Sequence, residues 1–583
     1  MTDRNLLHYL RPICTRHWLL TILIVASLGA HQILANQGVQ PQKVWVFLDE
    51  SQLPAAKMMP FPLSPRAQDR SLTKGGDARD NLSASQPGQA VESIIAQNTN
   101  KIHFYSRALR AYSAEATPAQ IKQLECLPIV LKVQLVKRYR HTIDPNEPAG
   151  ALRLPKGSSP QTQSGAAYTQ LAILNVPTAH DSGFSGHGVR IAMIDAGFQK
   201  NHEVFQKIIS EKRLIAEWDF IFDDNNVSDE ITEDTTIAGT QGNHGTSVWS
   251  VIGGYQPGVL IGVAWGAEYL LAKSERIGSE SIVEEDQFVE AVEWAEALGA
   301  DIISASVAYR DFDNPADDYQ HRDLDGHTTN SAKAINWAYE RGIVTVISAG
   351  NEANRFADDG GLLTPADAWG AIAAGAVDTN QNIASFSSYG PTADGRIKPD
   401  LCAPGVSVYT ATCSSINSYA YRSGTSFAAP LIAGCAALLV EKFPNAPPIY
   451  IVNRLKQYAS YADNPDQRYG WGVPDVALSL FAPIAPAAEN QVTVFPNPSN
   501  EVTFFYFHWN HIIPPIGNTE LSVFNILGER VWQQHLQPKT AGTTELLFWD
   551  HRNNSNLKVS TGIYFVTVKD GSNYLKGRFL ITR

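Results

Sequence analysis

Val189-Arg-Ile-Ala-Met-Ile-Asp195 is a short, near-continuous apolar run that ends on a carboxylate. Three more runs of this kind follow: Tyr269-Leu-Leu-Ala272, Asp301-Ile-Ile-Ser304 and Ile343-Val-Thr-Val-Ile-Ser348. Helical stretches, such as 285–298 and 330–340, lie between them. Strands buried on both faces read as continuous apolar runs, and their alternation with helices predicts a parallel sheet covered on both sides. In such sheets reactive side chains collect at the carboxyl ends of the strands. Region 166–482 is therefore expected to be an α/β domain with its site along one edge of the sheet.

Working outward, the chain has 583 residues, room for three to four domains at about 150 residues each. Apolar residues make up 44% and charged ones 18%, enough to bury a large core. With 58 acidic and 46 basic residues the net charge is −12, and no long Lys/Arg run occurs. Nucleic acid is thereby set aside as a main partner. Five cysteines are too few for a disulfide-built scaffold. Cys435 lies in an apolar run and reads as a small buried hydrophobe, while the sequence leaves pairing of Cys402 with Cys413 open.

The flanks have a different texture. Arg11, Arg16 and His17 precede the apolar run from Trp18 to Ala30, followed by small residues, so 1–35 reads as a secretory signal. A membrane anchor is the competing reading, weakened by His31, Gln32 and Asn36. Residues 36–142 form a small mixed α+β module, with strands at 44–48 and 129–136 and a helix opening at Thr117-Pro118. It ends in the basic cluster 137–140, and a Pro/Ser/Gln-rich linker covers 143–165. A second linker, rich in Ala and Pro, occupies 483–490. In 491–583 the runs 502–507, 520–525, 544–548 and 562–568 alternate with turns, which predicts an all-β sandwich.

Four segments carry chemistry. Asp195 ends a strand in Ile194-Asp-Ala-Gly197, and His244 opens a helical run in Asn243-His-Gly-Thr-Ser-Val248. Asn351 follows a strand in Ser348-Ala-Gly-Asn351, and Ser426 lies in Ser423-Gly-Thr-Ser-Phe-Ala-Ala-Pro430, directly before an apolar helix. A serine hydroxyl is a poor nucleophile until an imidazole takes its proton. An imidazole titrates near working pH, and a carboxylate fixes its tautomer. An amide donor and a backbone N–H at a helix start can hold an oxyanion. Singly, each residue has an ordinary structural use as a turn former or helix cap; together, in the order Asp, His, Ser, they point to nucleophilic catalysis.

These four blocks resemble those of the subtilisin-like serine proteases, over about 170–482, and Gly470-Trp-Gly-Val-Pro-Asp475 resembles the Gly-rich stretch closing that domain. The resemblance implies a secreted serine endopeptidase with a catalytic triad of Asp195, His244 and Ser426, and Asn351 in the oxyanion hole. Ser306, Val307 and Ala308 resemble the family's substrate-binding strand, except that Ala308 replaces a glycine. Ala196 and Phe427 stand where the family usually has a hydroxyl residue and Met. No cofactor or metal ligand is assigned. Structural calcium lacks a clear motif, since Asp323-Leu-Asp-Gly326 resembles part of a calcium loop without its Glu and reads as a solvated acidic turn. The acidic cluster 223–234 reads as an exposed loop.

By position, 36–142 resembles the family's folding and inhibitory prodomain, so a zymogen is expected. Val494-Phe-Pro-Asn-Pro-Ser499, 523–530 and 560–566 resemble the sorting domain of type IX secretion cargo. That implies polypeptide substrates, the type IX machinery as partner, and a secreted or surface location in a two-membrane bacterium. Membrane contact would come only through export or attachment. An adhesion protein on a retired protease scaffold would require a lost catalytic group, and none is lost; an esterase would share the triad.

Overall fold

The computed structural model describes residues 41–49, 58–60, 63–73, 85–136, 164–229, 242–276, 282–312, 318–482, 492–495, 499, 503–508, 519–536, 544–555, 557–570 and 573–582. The signal-like segment, the basic cluster 137–140, linker residues 143–163 and 483–490, and the acidic residues 230–234 lie outside these.

The N-terminal module contains β1 (Gln42–Leu48), α1 (Pro65–Thr73), α2 (Gln89–Gln97), β2 (Lys101–Ser106), β3 (Ala111–Ala116), α3 (Pro118–Glu125) and β4 (Val130–Val136). Its antiparallel sheet runs β2-β3-β1-β4. Thr117 starts α3 through a reciprocal capping box with Gln120, which satisfies two otherwise orphaned N–H groups. Val44, Val46 and Ala114 pack against Val91, Ile95 and Leu124 of the helices. Trp45, Phe47, Leu109 and Val136 instead join the core of the central domain. The two sides of β1 thus face different partners, as the period-2 pleat dictates.

The central domain is built on β5 (Arg190–Asp195), β6 (Leu214–Asp219), α4 (Asn243–Gly253), β7 (Glu268–Lys273), α5 (Ile282–Ala297), β8 (Ile302–Ala305), α6 (Asn330–Glu340), β9 (Val344–Ser348), β10 (Ala371–Val377), β11 (Leu401–Pro404) and α7 (Thr425–Lys442). Seven strands form one sheet in the order β11-β10-β9-β8-β5-β7-β6, with every pairing parallel. This is the α/β class that the alternating apolar runs imply. Separate apolar clusters cover the two faces, one built around α4 and α7, the other around α5 and α6. α7 is buried from Thr425 to Val440, so it is apolar all round and carries no amphipathic stripe. Among the described residues it is the one helix long and apolar enough to cross a membrane, and 83% of it is buried inside the protein.

The module docks on α5 and α6 through buried charge. Arg107 donates to Glu293 O (3.2 Å) and Glu296 Oε2 (2.9 Å), and its guanidinium stacks 4.9 Å from the centre of Trp337. Arg70 of α1 reaches Glu296 Oε1 (3.0 Å) and the carbonyls of Ala300 (2.6 Å) and Arg341 (3.2 Å). Lys43 pairs with Asp286 at 3.1 Å, and the Trp45 indole N–H donates to the same carboxylate. Away from water, such pairs offset the cost of burying charge only where close geometry and further hydrogen bonds support them, as the carbonyls of Glu293, Ala300 and Arg341 do here.

The C-terminal region has a three-stranded sheet, β12 (Thr493–Phe495), β13 (Thr503–His508) and β16 (Thr544–Trp549), in the order β12-β13-β16. A four-stranded sheet, β15 (Arg530–Leu536), β14 (Thr519–Asn525), β17 (Gly562–Asp570) and β18 (Asn573–Ile581), shares one apolar core with it. Phe505, Phe507, Val523, Trp549, Val566 and Phe579 fill that core.

Candidate active site

Asp195 is the last residue of β5, at the carboxyl edge of the sheet, and is fully buried. Nδ1 of His244 lies 2.8 Å from Asp195 Oδ1. A carboxylate accepts, so Nδ1 carries the hydrogen and Nε2 is left as the basic nitrogen. His244 stands in the first turn of α4, which approaches the loop after β5 so closely that Gly245 has room for no side chain. The Phe427 ring, 6.0 Å from the imidazole, brings His244 beside the residue that follows Ser426.

The sequence places Ser426 just before the apolar helix, as its cap. Here the helix begins two residues earlier, at Thr425, and Gly424 holds the N-cap position with φ +153°, a backbone angle suited to glycine. Ser426 is therefore inside the first turn, where backbone N–H groups have no partner within the helix. Its carbonyl is also freed, because Pro430, four residues on, has no N–H to offer. Ser306 Oγ takes up that carbonyl at 2.9 Å, tying the end of β8 to the Ser426 turn.

Asn351 follows β9 and is tied to the same turn. Its Oδ1 accepts from Thr425 N (2.9 Å) and Thr425 Oγ1 (3.0 Å), which orients the carboxamide and leaves its NH₂ group as donor. Thr425 and the Ser306 hydroxyl were not singled out as supports by sequence reasoning. The signal for the second was Pro430, whose spacing from Ser426 announces a carbonyl in need of a donor. Val307 is nearly buried and Ala308 half-buried at the edge beyond β8.

Other sequence candidates resolve differently. Asp325 Oδ1 accepts from the N–H groups of His327 and Thr328 (both 2.7 Å), and Asp323 Oδ2 from Gln320 N (2.8 Å). Both carboxylates act as turn caps. Of the acidic cluster, Asp224 caps Asn226 N, and Asp229 accepts from Gly242 N at 2.6 Å, beside the start of α4. Cys402 and Cys413 are free thiols; Cys402 Sγ faces Tyr469 O and Cys413 Sγ faces Thr246 Oγ1.

Comparison with known proteins gives the family. The subtilase family matches residues 186–472, and the secretion system C-terminal sorting domain matches 493–582. A thermostable alkaline protease of Halalkalibacterium halodurans is 30% identical over 307 residues, covering 52% of this chain and 70% of that protein. Subtilisin DY of Bacillus licheniformis is 29% identical over 295 residues, covering 50% of this chain and 90% of that protein. Fervidolysin from Fervidobacterium pennivorans, described as a keratinolytic enzyme related to subtilisin, has a similar fold with TM-score 0.53 and 20% identity. The likeness covers 92% of this chain and 71% of that one. The chain belongs to the subtilase family and is a serine-type endopeptidase, a hydrolase that carries a type IX secretion sorting domain at its C-terminal end.

Proposed function

We propose that this chain is exported by a two-membrane bacterium and cleaves polypeptides through an acyl-enzyme on Ser426. The reading rests on the 2.8 Å contact between His244 Nδ1 and Asp195 Oδ1, made next to the Ser426 turn. His244 Nε2 takes the proton as Ser426 Oγ attacks the scissile carbonyl carbon. Buried Asp195 holds the ring and stabilises the imidazolium. The oxyanion is met by the Asn351 NH₂ group and the free N–H of Ser426 at the start of α7. Breakdown of the tetrahedral adduct breaks the C–N bond, and His244 returns its proton to the leaving amine. Water then repeats the sequence and releases the acyl group.

An extended substrate would pair with the backbone of Ser306, Val307 and Ala308 as an added strand. The N-terminal module would act as a prodomain, and the C-terminal sandwich would engage the type IX machinery. Structural calcium stays without an assigned site. Casein and a short ester distinguish the peptidase from an esterase: casein should be cleaved, and cleavage should vanish in Ser426→Ala. Ester turnover without casein turnover would overturn the reading.

A further inference from the structure

Two segments leave the carboxyl ends of adjacent strands beside Ser426: residues 306–312 after β8, and 349–364 after β9. Each touches the Ser426 turn, through the Ser306 hydroxyl and the Asn351 carboxamide. Beyond those contacts the segments are joined again by two crossed ion pairs. Arg310 of the first segment forks onto Asp359 of the second, Nη1 to Oδ1 at 3.1 Å and Nη2 to Oδ2 at 2.5 Å. Arg355 of the second segment returns the exchange by pairing with Asp311 of the first. Phe356 shares the two cations, its ring centre 3.9 Å from the Arg310 guanidinium carbon and 5.2 Å from that of Arg355.

The inner pair is the firmer one. Arg310 is 6% exposed and also donates to Leu362 O at 3.3 Å. Burial works against ionisation of Asp359, yet hydrogen bonds from Arg310 and the Gly361 N–H (3.1 Å) hold its carboxyl below the usual range. Below the clasp, Tyr309 and Thr364 exchange both backbone hydrogen bonds, at 2.7 and 3.1 Å. The segments are thus fastened at the Ser426 turn, at Tyr309–Thr364 and at the crossed pairs.

We propose that the Arg310–Asp359 and Asp311–Arg355 clasp fixes the spacing of these two segments, and with it the size of substrate side chain accepted beside Ser426. The four residues act as positioning residues, and the proposal rests on reading Ser306–Ala308 and Asn351 as borders of the substrate cleft. Two features point to spacing rather than general stability. The two pairs join the segments directly, with Glu352 (3.8 Å from Arg355) and His321 (4.0 Å from Asp359) as more distant neighbours, and a bidentate Arg–carboxylate fork fixes distance and angle where a lysine would not.

The test uses the full chain and peptide anilides with Ala, Leu, Phe or Lys at the cleaved position. Arg355→Asp and Asp311→Arg should each change the Ala-to-Phe ratio of kcat/KM about two- to fivefold, through KM. The double exchange Asp311→Arg/Arg355→Asp should restore it. Arg310→Lys, which loses the fork, should change the ratio about tenfold. The clasp is overturned by unchanged ratios in folded single variants, by an equal loss of kcat on all four substrates, or by no recovery in the double exchange. Wild-type protein that a fluorophosphonate does not label at Ser426 would overturn the underlying site reading, and the clasp with it.

Discussion

Gly245 lies against Gly197 so tightly that a Cβ on Gly245 would sit 2.3 Å from the Gly197 carbonyl oxygen and 3.0 Å from Asp195 Oδ1. The helix bearing His244 and the loop that follows Asp195 meet at a contact that only glycine permits. Gly245→Ala should push the two apart, at about 1–3 kcal/mol of stability in denaturant melts. Because it displaces the Asp195–His244 pair, turnover should fall by roughly 10²-fold even in the folded fraction. A folded variant with full turnover would contradict the placement.

Asn351 offers a cleaner substitution. Aspartate at 351 keeps an oxygen to accept from Thr425 but loses the NH₂ donor. Asn351→Asp should lower kcat by roughly 10²- to 10³-fold with little change in KM, the size of loss that removing one oxyanion donor causes in subtilisin. A loss expressed mainly in KM would assign Asn351 to substrate binding instead.

Glu296 receives both Arg70 and Arg107 from the N-terminal module. Arg107→Ala should weaken docking by about 1.5–3 kcal/mol, since Glu296 and Glu293 lose one buried charged donor while Arg70 stays on Glu296 and Ser106 on Glu293. In the Ser426→Ala background, protease protection of the module should drop in step.

Stability around the docked module should also depend on pH. Burial pushes Glu290 up to about 8 against the opposing effect of Lys43, with Asp223, Glu293 and Asp286 pushing the same way. Burial likewise raises Asp286, facing Lys43 and Trp45, and Glu293, facing Arg107 and Ser106. A carboxyl raised in the folded protein binds more protons there than in the unfolded chain, so these groups favour the folded state at low pH and lose that contribution as pH rises from the ordinary carboxylate range through about 8. Hydrogen exchange of β1 in Ser426→Ala, corrected for intrinsic rate, should show protection falling over that window. Protection that rises with pH would refute this.

Deleting 491–583 removes the sorting domain while leaving the catalytic domain intact. The truncated protein should accumulate inside the cell, and its normal appearance in the medium would refute the export reading.

Most of the sheet was legible in the sequence because β5, β7, β8 and β9 are continuous aliphatic runs, the form taken by strands covered on both faces. β10, Ala-Ile-Ala-Ala-Gly-Ala-Val, escaped notice because alanine and glycine carry little strand preference; packing against α7 decides its state. β6 was hidden by Glu217 and Asp219, the latter a buried partner of Lys273. The site was legible as four short motifs. Their supports were not, because Thr425–Asn351, Ser306–Ser426 and the Arg310–Asp359 fork join residues far apart in the chain, where local pattern carries no information.

The most direct test of the account is to label secreted protein with a fluorophosphonate and map the modified peptide by mass spectrometry. One adduct is expected, on Ser426, lost in Ser426→Ala and strongly slowed in His244→Ala. An adduct on another serine, or no adduct on folded protein that still cleaves casein, would contradict it.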